Sequence, residues 1–227
     1  MNQPLPTKVP AAASLPTLLI IDMQQGMARA EAGRRNNPEA EANIARLLAA
    51  WRAAKGIIVH IRHISRSPGS LFWPGQSSVD FQPALAPLDD EHVVEKNVPD
   101  AFVQSGLERW LHQRSVTDLV ITGVSTNNSV EATARSAGNL GFKTRVVADA
   151  CFCFDKVDYA GTRRSAAEVH AMSLANLQGE YAEIVDTVTM LRLADPNAPL
   201  PPAPPAVTGR PTVMAHAGIS TIGDDKM

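Results

Sequence analysis

Three side chains in this sequence have the chemistry for acyl transfer, and each stands at the end of an apolar run. Asp22 closes "TLLIID" (17–22), Lys96 falls near the end of "HVVEKN" (92–97), and Ser129 follows "DLVITGV" (118–124) across a short turn. A carboxylate can carry a proton, an ammonium can hold an anion, and a hydroxyl can attack a carbonyl carbon. Each also has a plainer role. Asp22 can cap the segment after it, Lys96 can be a solvated strand-end lysine, and Ser129 can bond a free N–H at a helix start. Their convergence favours chemistry, because ligands of an open parallel sheet gather outside the carboxyl ends of its strands. Yet no histidine lies near Ser129 in the sequence to activate it.

The elements that must bring these residues together alternate along the chain. Short β-branched runs at 17–22, 57–64, 92–97, 118–124, 144–150 and 182–186 read as strands. Segments of helical period at 37–56, 103–115, about 128–140, 162–177 and 187–193 lie between or after them. The expected fold class is α/β, a six-stranded parallel doubly wound sheet flanked by helices. A long connection over 65–90 carries Phe72, Trp73 and Phe81, which argue for an ordered lid or pocket wall. The domain layout is an N-terminal extension (1–16), one domain (17–195) and a proline-rich tail or arm (196–227).

Composition narrows the function classes. With 44% hydrophobic and 19% charged residues the chain has the balance of a soluble globular domain. A net charge of −2 gives no reason to expect nucleic acid or an anionic membrane as partner. The N-terminus lacks the apolar core of a signal peptide, and the two cysteines, Cys151 and Cys153, are too close for an unstrained bridge. These features point to the cytoplasm. The first strand leads into "DMQQGM" rather than G-x-G-x-x-G, which disfavours a dinucleotide-binding dehydrogenase.

The stretches "LLIIDMQQGM" (18–27), "VVEKNVPDAF" (93–102) and "LVITGVSTNNSVEATARSAGNLGFKTRVVADA" (119–150), in this order, resemble the isochorismatase-like cysteine hydrolase superfamily. The similarity runs from about Leu18 to Leu193. It implies a six-stranded parallel sheet, a dimer or tetramer, and an Asp-Lys-Cys triad that hydrolyses C–N bonds of small amide or ureido substrates. By motif the aspartate corresponds to Asp22 and the lysine to Lys96, while the cysteine falls on Ser129 in "GVSTNNSV". The resemblance also implies a cis peptide at Val124–Ser125 and an oxyanion hole from the backbone N–H groups of Ser125 and Ser129.

The departure at the nucleophile matters physically. A thiol beside a cation and a helix N-terminus ionises readily, whereas an alcohol normally needs a base such as histidine. Three explanations stand: a laboratory Cys-to-Ser exchange, a natural variant hydrolysing vinyl ethers with Asp22 alone as isochorismatases do, or a protein that only binds. The intact surroundings favour the first.

No metal or other cofactor is expected. The nicotinamidases of this superfamily have an Asp-x-His cluster after the second strand, and "HIRHISRSPGSLFWPG" offers His60 and His63 without the aspartate. His60 alternates with apolar residues and reads as a satisfied core histidine. Cys151 and Cys153 read as buried structural thiols, and His170 as a helix-packing residue. Arg62, Phe72, Trp73 and Phe154 are pocket candidates by position alone.

Overall fold

The computed structural model describes residues 15–195 and residue 197. Most of the N-terminal extension and nearly all of the proline-rich tail therefore lie outside the described residues. Six parallel strands form one sheet: β1 (Thr17–Ile21), β2 (Ile58–His63), β3 (His92–Lys96), β4 (Asp118–Val124), β5 (Lys143–Phe152) and a last strand (Glu183–Val185). Between β5 and that last strand, β6 (Lys156–Val157) and β7 (Arg163–Arg164) make a small antiparallel hairpin, so the last strand is β8. The order β3-β2-β1-β4-β5-β8 reverses direction of winding at β1 and β4, as a doubly wound sheet does.

Alternation within the strands divides the core in two. Leu18 and Ile20 of β1 join Val120 of β4 under α1 (Ala40–Ala53) and α5 (Thr187–Ala194), which contribute Ile44, Leu47, Leu48, Trp51 and Met190. Leu19 and Ile21 join Val59, Ile61 and Ile121 beneath α2 (Leu107–His112), α3 (Glu131–Asn139) and α4 (Ala166–Leu177). Burial on both faces is why β1 and β4 read as unbroken apolar runs.

Three helices are shorter than their sequence periods suggest, for local reasons. Asn37 has left-handed backbone (φ +44), so α1 begins at Ala40 instead of residue 37. Gly106 is left-handed as well (φ +77), and α2 begins only after it. Residues 163 and 164, expected in a helix, pair instead with β6, and α4 starts at a capping box: the Ser165 side chain accepts from Glu168 N–H while the Glu168 side chain accepts from Ser165 N–H.

The 65–90 connection is ordered. It holds two short 3₁₀ turns, Ser77–Val79 and Pro83–Leu85, and is bound to the sheet by Gln25 N–H to the Asp80 carbonyl (2.8 Å) and Gln82 N–H to the Met23 carbonyl (3.0 Å). Its far end is fixed by Glu91, which takes Arg52 in a two-pronged ion pair (2.7 and 2.9 Å) and His60 Nε2 at 2.9 Å. His60 is fully buried on the α1 face with this partner, so it is a core histidine. No helix among the described residues is long and apolar enough to cross a membrane.

Candidate active site

The strand β1 ends by breaking its own pleat. Asp22 keeps a sheet hydrogen bond, its N–H donating to the Ile61 carbonyl at 2.9 Å, but its φ of +53 is left-handed. A non-glycine residue there is uncommon and strained, a state that persists where surroundings enforce it. On the neighbouring strand Gly123 (φ +119) allows β4 to pass so close that a Cβ would lie 2.1 Å from the Ile21 carbonyl oxygen. The register of β4 against β5 shifts at the same place, between Ile121 and Gly123. The peptide joining Val124 to Ser125 is cis.

Lys96 is the last residue of β3, on the same side of the sheet as Val94 and in register with His63. The following segment docks on α3, with Ala101 N–H donating to Thr133 Oγ1 (3.1 Å) and Ser136 Oγ donating to Asp100. Ser129 does not open an α-helix as its sequence suggests. It lies in a one-turn π-helix, Thr126–Val130, that precedes α3, and the Val130 N–H reaches back to the Ser125 carbonyl at 3.2 Å.

The tertiary structure brings the three residues together. Lys96 Nζ donates to Asp22 Oδ2 at 2.7 Å and to Ser129 Oγ at 3.2 Å, with all three residues buried. Burial pushes the Asp22 carboxyl above the usual aspartate range, against the downward pull of the Lys96 charge and hydrogen bond. Its Oδ1 has no hydrogen-bond partner among the described residues. One carboxylate oxygen thus holds the ammonium while the other stays open to take or give a proton.

Two neighbours of this site carry little sequence signal. Gln24 is fully buried and spends its side chain on three backbone bonds: Nε2 donates to the carbonyls of His63 (3.0 Å) and Val79 (2.9 Å), and Oε1 accepts from His63 N–H (2.9 Å). It joins the ends of β1 and β2 to the connection above them. His63, half-buried, meets Phe72 edge to face at 6.1 Å. Burial and the nearby Lys96 charge lower its pKa, with Asp22 opposing. In the sequence Gln24 is one glutamine among several, and His63 is indistinguishable from His60 except by strand parity.

The pocket candidates divide. Phe72 packs on His63 and on Gly26, where a Cβ would meet its ring at 2.8 Å. Trp73 lines a recess of about 450 Å³ with Ser65, Arg66, Pro74, Lys96 and Asn97. Arg62 and Phe154 are not brought to Asp22, Lys96 and Ser129. Strand parity turns Arg62 to the α1 side, where it pairs with Glu95 and lies over the Phe81 ring at 5.7 Å. Phe154 packs at the edge of the α1-side core, edge to face with Phe152 at 5.8 Å. Among the described residues no three His, Cys, Asp or Glu side chains are grouped as a metal ion would require. Cys151 and Cys153 are both buried thiols, with Cys153 pushed up to about 11 by burial.

A parallel α/β sheet with buried Asp, Lys and Ser at its carboxyl edge defines the class of molecule, and comparison with known proteins gives the family. The isochorismatase domain matches residues 16–188, and the chain belongs to the isochorismatase family of hydrolases. A crystal structure of an isochorismatase-family protein from Chromobacterium violaceum ATCC 12472 superposes with a TM-score of 0.78 at 47% identity, covering 84% of this chain and 98% of that one. The isochorismatase-family protein YrdC of Bacillus subtilis (strain 168) is 37% identical over 170 residues, 75% of this chain and 91% of its own. Streptothricin hydrolase of Streptomyces noursei is 31% identical over 212 residues, 91% of this chain and 74% of its own. Maleamate amidohydrolase of Pseudomonas putida is 30% identical over 121 residues, 52% of each chain.

Proposed function

We propose that this protein hydrolyses the C–N bond of a small amide, ureido or related substrate at residue 129, with Asp22 and Lys96 as its acid–base and cationic partners. The observation that carries the reading is the buried Lys96 ammonium bridging Asp22 Oδ2 and Ser129 Oγ. The maleamate amidohydrolase among its relatives supports an amide as the substrate class.

In this mechanism the residue at 129 gives its proton to Asp22 and attacks the substrate carbonyl carbon. The resulting oxyanion takes hydrogen bonds from the backbone N–H groups of Ser125 and Ser129. Asp22, whose raised pKa suits a group that must bind and release a proton, passes that proton to the departing nitrogen. Water then attacks the acyl-enzyme, losing a proton to Asp22; the bond to residue 129 breaks, Asp22 returns the proton to that side chain, and the product leaves as the carboxylic acid, which ionises in solvent. A buried lysine stabilises an anionic nucleophile, an arrangement suited to sulfur, since a thiol ionises near pH 8.5 and an alcohol does so far less readily. We read Ser129 as standing in the place of a nucleophilic cysteine.

The test is amide turnover by the chain as it stands and by Ser129→Cys, on a panel of primary amides and ureido compounds. The substituted protein should be faster by about two orders of magnitude or more. Negligible turnover by both across the panel would overturn the proposal.

A second reading is favoured by one observation, the open Oδ1 of a carboxyl whose pKa is raised. Such a group can act alone as a general acid on a vinyl ether. Under that reading activity survives every change at 129 and vanishes in Asp22→Asn.

A further inference from the structure

The turn carrying Ser129 is held from behind by a buried hydrogen-bond network that belongs to neither the triad nor the oxyanion hole. Thr126, the first residue of the π-helix, is fully buried, and its Oγ1 lies 2.8 Å from His170 Nδ1. One helical turn further along α4, Ser173 Oγ lies 3.0 Å from the Thr126 carbonyl oxygen and 2.6 Å from Glu131 Oε2. Helix α4 therefore grips Thr126 at both side chain and main chain. On the far side of the imidazole Asn37 donates its amide hydrogens to the carbonyls of Ala148 (3.0 Å) and Cys151 (2.7 Å), with Nδ2 3.5 Å from His170 Nε2.

The partners of Asn37 assign the roles of the two ring nitrogens. Both hydrogens of Asn37 are committed to carbonyls, so Nε2 of His170 receives none from it and is assigned as the ring N–H. Nδ1 is then the acceptor and the Thr126 hydroxyl donates to it. Burial holds the imidazole neutral by lowering its pKa, which keeps that acceptor available. A π-helix is rare and occurs mostly as a single turn at functional sites, so one that carries a reacting residue needs such external ties.

We propose that His170 is a positioning residue for the reaction: by accepting the Thr126 hydroxyl it holds the Thr126–Val130 turn in the setting that aims residue 129 at Lys96 and Asp22. The proposal rests on the reading of position 129 as the reacting position. Misplacing a reacting atom by about 1 Å costs on the order of 100-fold in rate, so a tie on the first residue of the turn has kinetic weight.

The experiment uses the full chain carrying Ser129→Cys as parent, with two readouts: the rate at which iodoacetamide alkylates the thiol at 129, and kcat and KM on an amide that the parent hydrolyses. Thr126→Val, which keeps shape and removes the donor, should lower both the alkylation rate and kcat by about tenfold or more while KM changes little. Thr126→Ser and His170→Asn each keep a hydrogen-bonding group at the required place and should recover to within about threefold of the parent. Thr126→Val combined with His170→Leu should be no slower than His170→Leu alone, because that change has already removed the bond to Thr126. If His170→Leu does not fold, Thr126→Val alone decides. A parent thiol that reacts fast and is indifferent to Thr126→Val overturns the positioning role and leaves the proposed function standing. A parent thiol no more reactive than buried Cys151 and Cys153 overturns both.

Discussion

Lys96 Nζ stands 2.7 Å from Asp22 Oδ2, although 74 residues separate the two in the chain, and neither side chain exposes more than 2% of its surface. Removing one partner of a buried ion pair leaves a charge without compensation, which typically costs about 3–5 kcal/mol. Asp22→Asn and Lys96→Met should each lose stability on that scale in urea unfolding. Because the penalty is a shared one, the double variant should lose clearly less than the sum. Additive losses would show that the pair is not energetically coupled.

The two native thiols should be silent in the folded protein. Cys151 and Cys153 are buried, and burial pushes both pKa values upward, to about 11 for Cys153, so little thiolate exists at pH 8. Iodoacetamide at pH 8 should leave both unlabelled without denaturant and modify both in guanidinium, as mass spectrometry would read. Rapid labelling of either in the native state would contradict the packing of β5.

Acid should loosen the end of the connection through Glu91 and His60. Arg52, the Leu88 N–H and His60 draw the Glu91 carboxyl down to about 2 against its burial, whereas the unfolded chain titrates near 4.5. The contribution of Glu91 is thus complete above about pH 4.5 and is lost as pH falls through that value toward 2. His60 acts in the same direction: burial lowers its pKa below 6.5, so protons favour the unfolded chain as pH drops beneath that value. Glu91→Gln should flatten the acid limb of a stability-against-pH curve and cost on the order of 2 kcal/mol at pH 7. An unchanged acid limb would show that other carboxylates govern it.

Gln24 should matter more to the connection than to the sheet. Its replacement by leucine leaves the His63 N–H and the carbonyls of His63 and Val79 without their bonds. Each unpaired buried group costs about 1–3 kcal/mol, and the expected result is a lower Tm with new protease cleavage within residues 65–90. A Tm loss without new cleavage there would place the effect in the sheet alone.

The sequence by itself determined the sheet. Six apolar runs of strand length, separated by segments of helical period, leave few ways to bury both faces of "TLLII" and "DLVITGV", and all six strands form where those runs lie. The motif order named the family, and a strand end followed by Asp, Lys or Ser placed those residues at one rim. Helix starts were less legible, because left-handed Asn37 and Gly106 and the Ser165 cap act within a single turn, beneath the resolution of a periodic pattern. Only the tertiary structure decided which rim residues meet. Strand parity sent Arg62 to the opposite face from Lys96, and left-handed backbone at Asp22 ended the alternation its own strand had set. The bonds of Gln24, and separately that of Thr126 with His170, join partners 39 to 55 and 44 residues apart, and no local spacing encodes a bond closed by packing. Periodicity is a property of one element; the site is a property of several elements meeting at one edge.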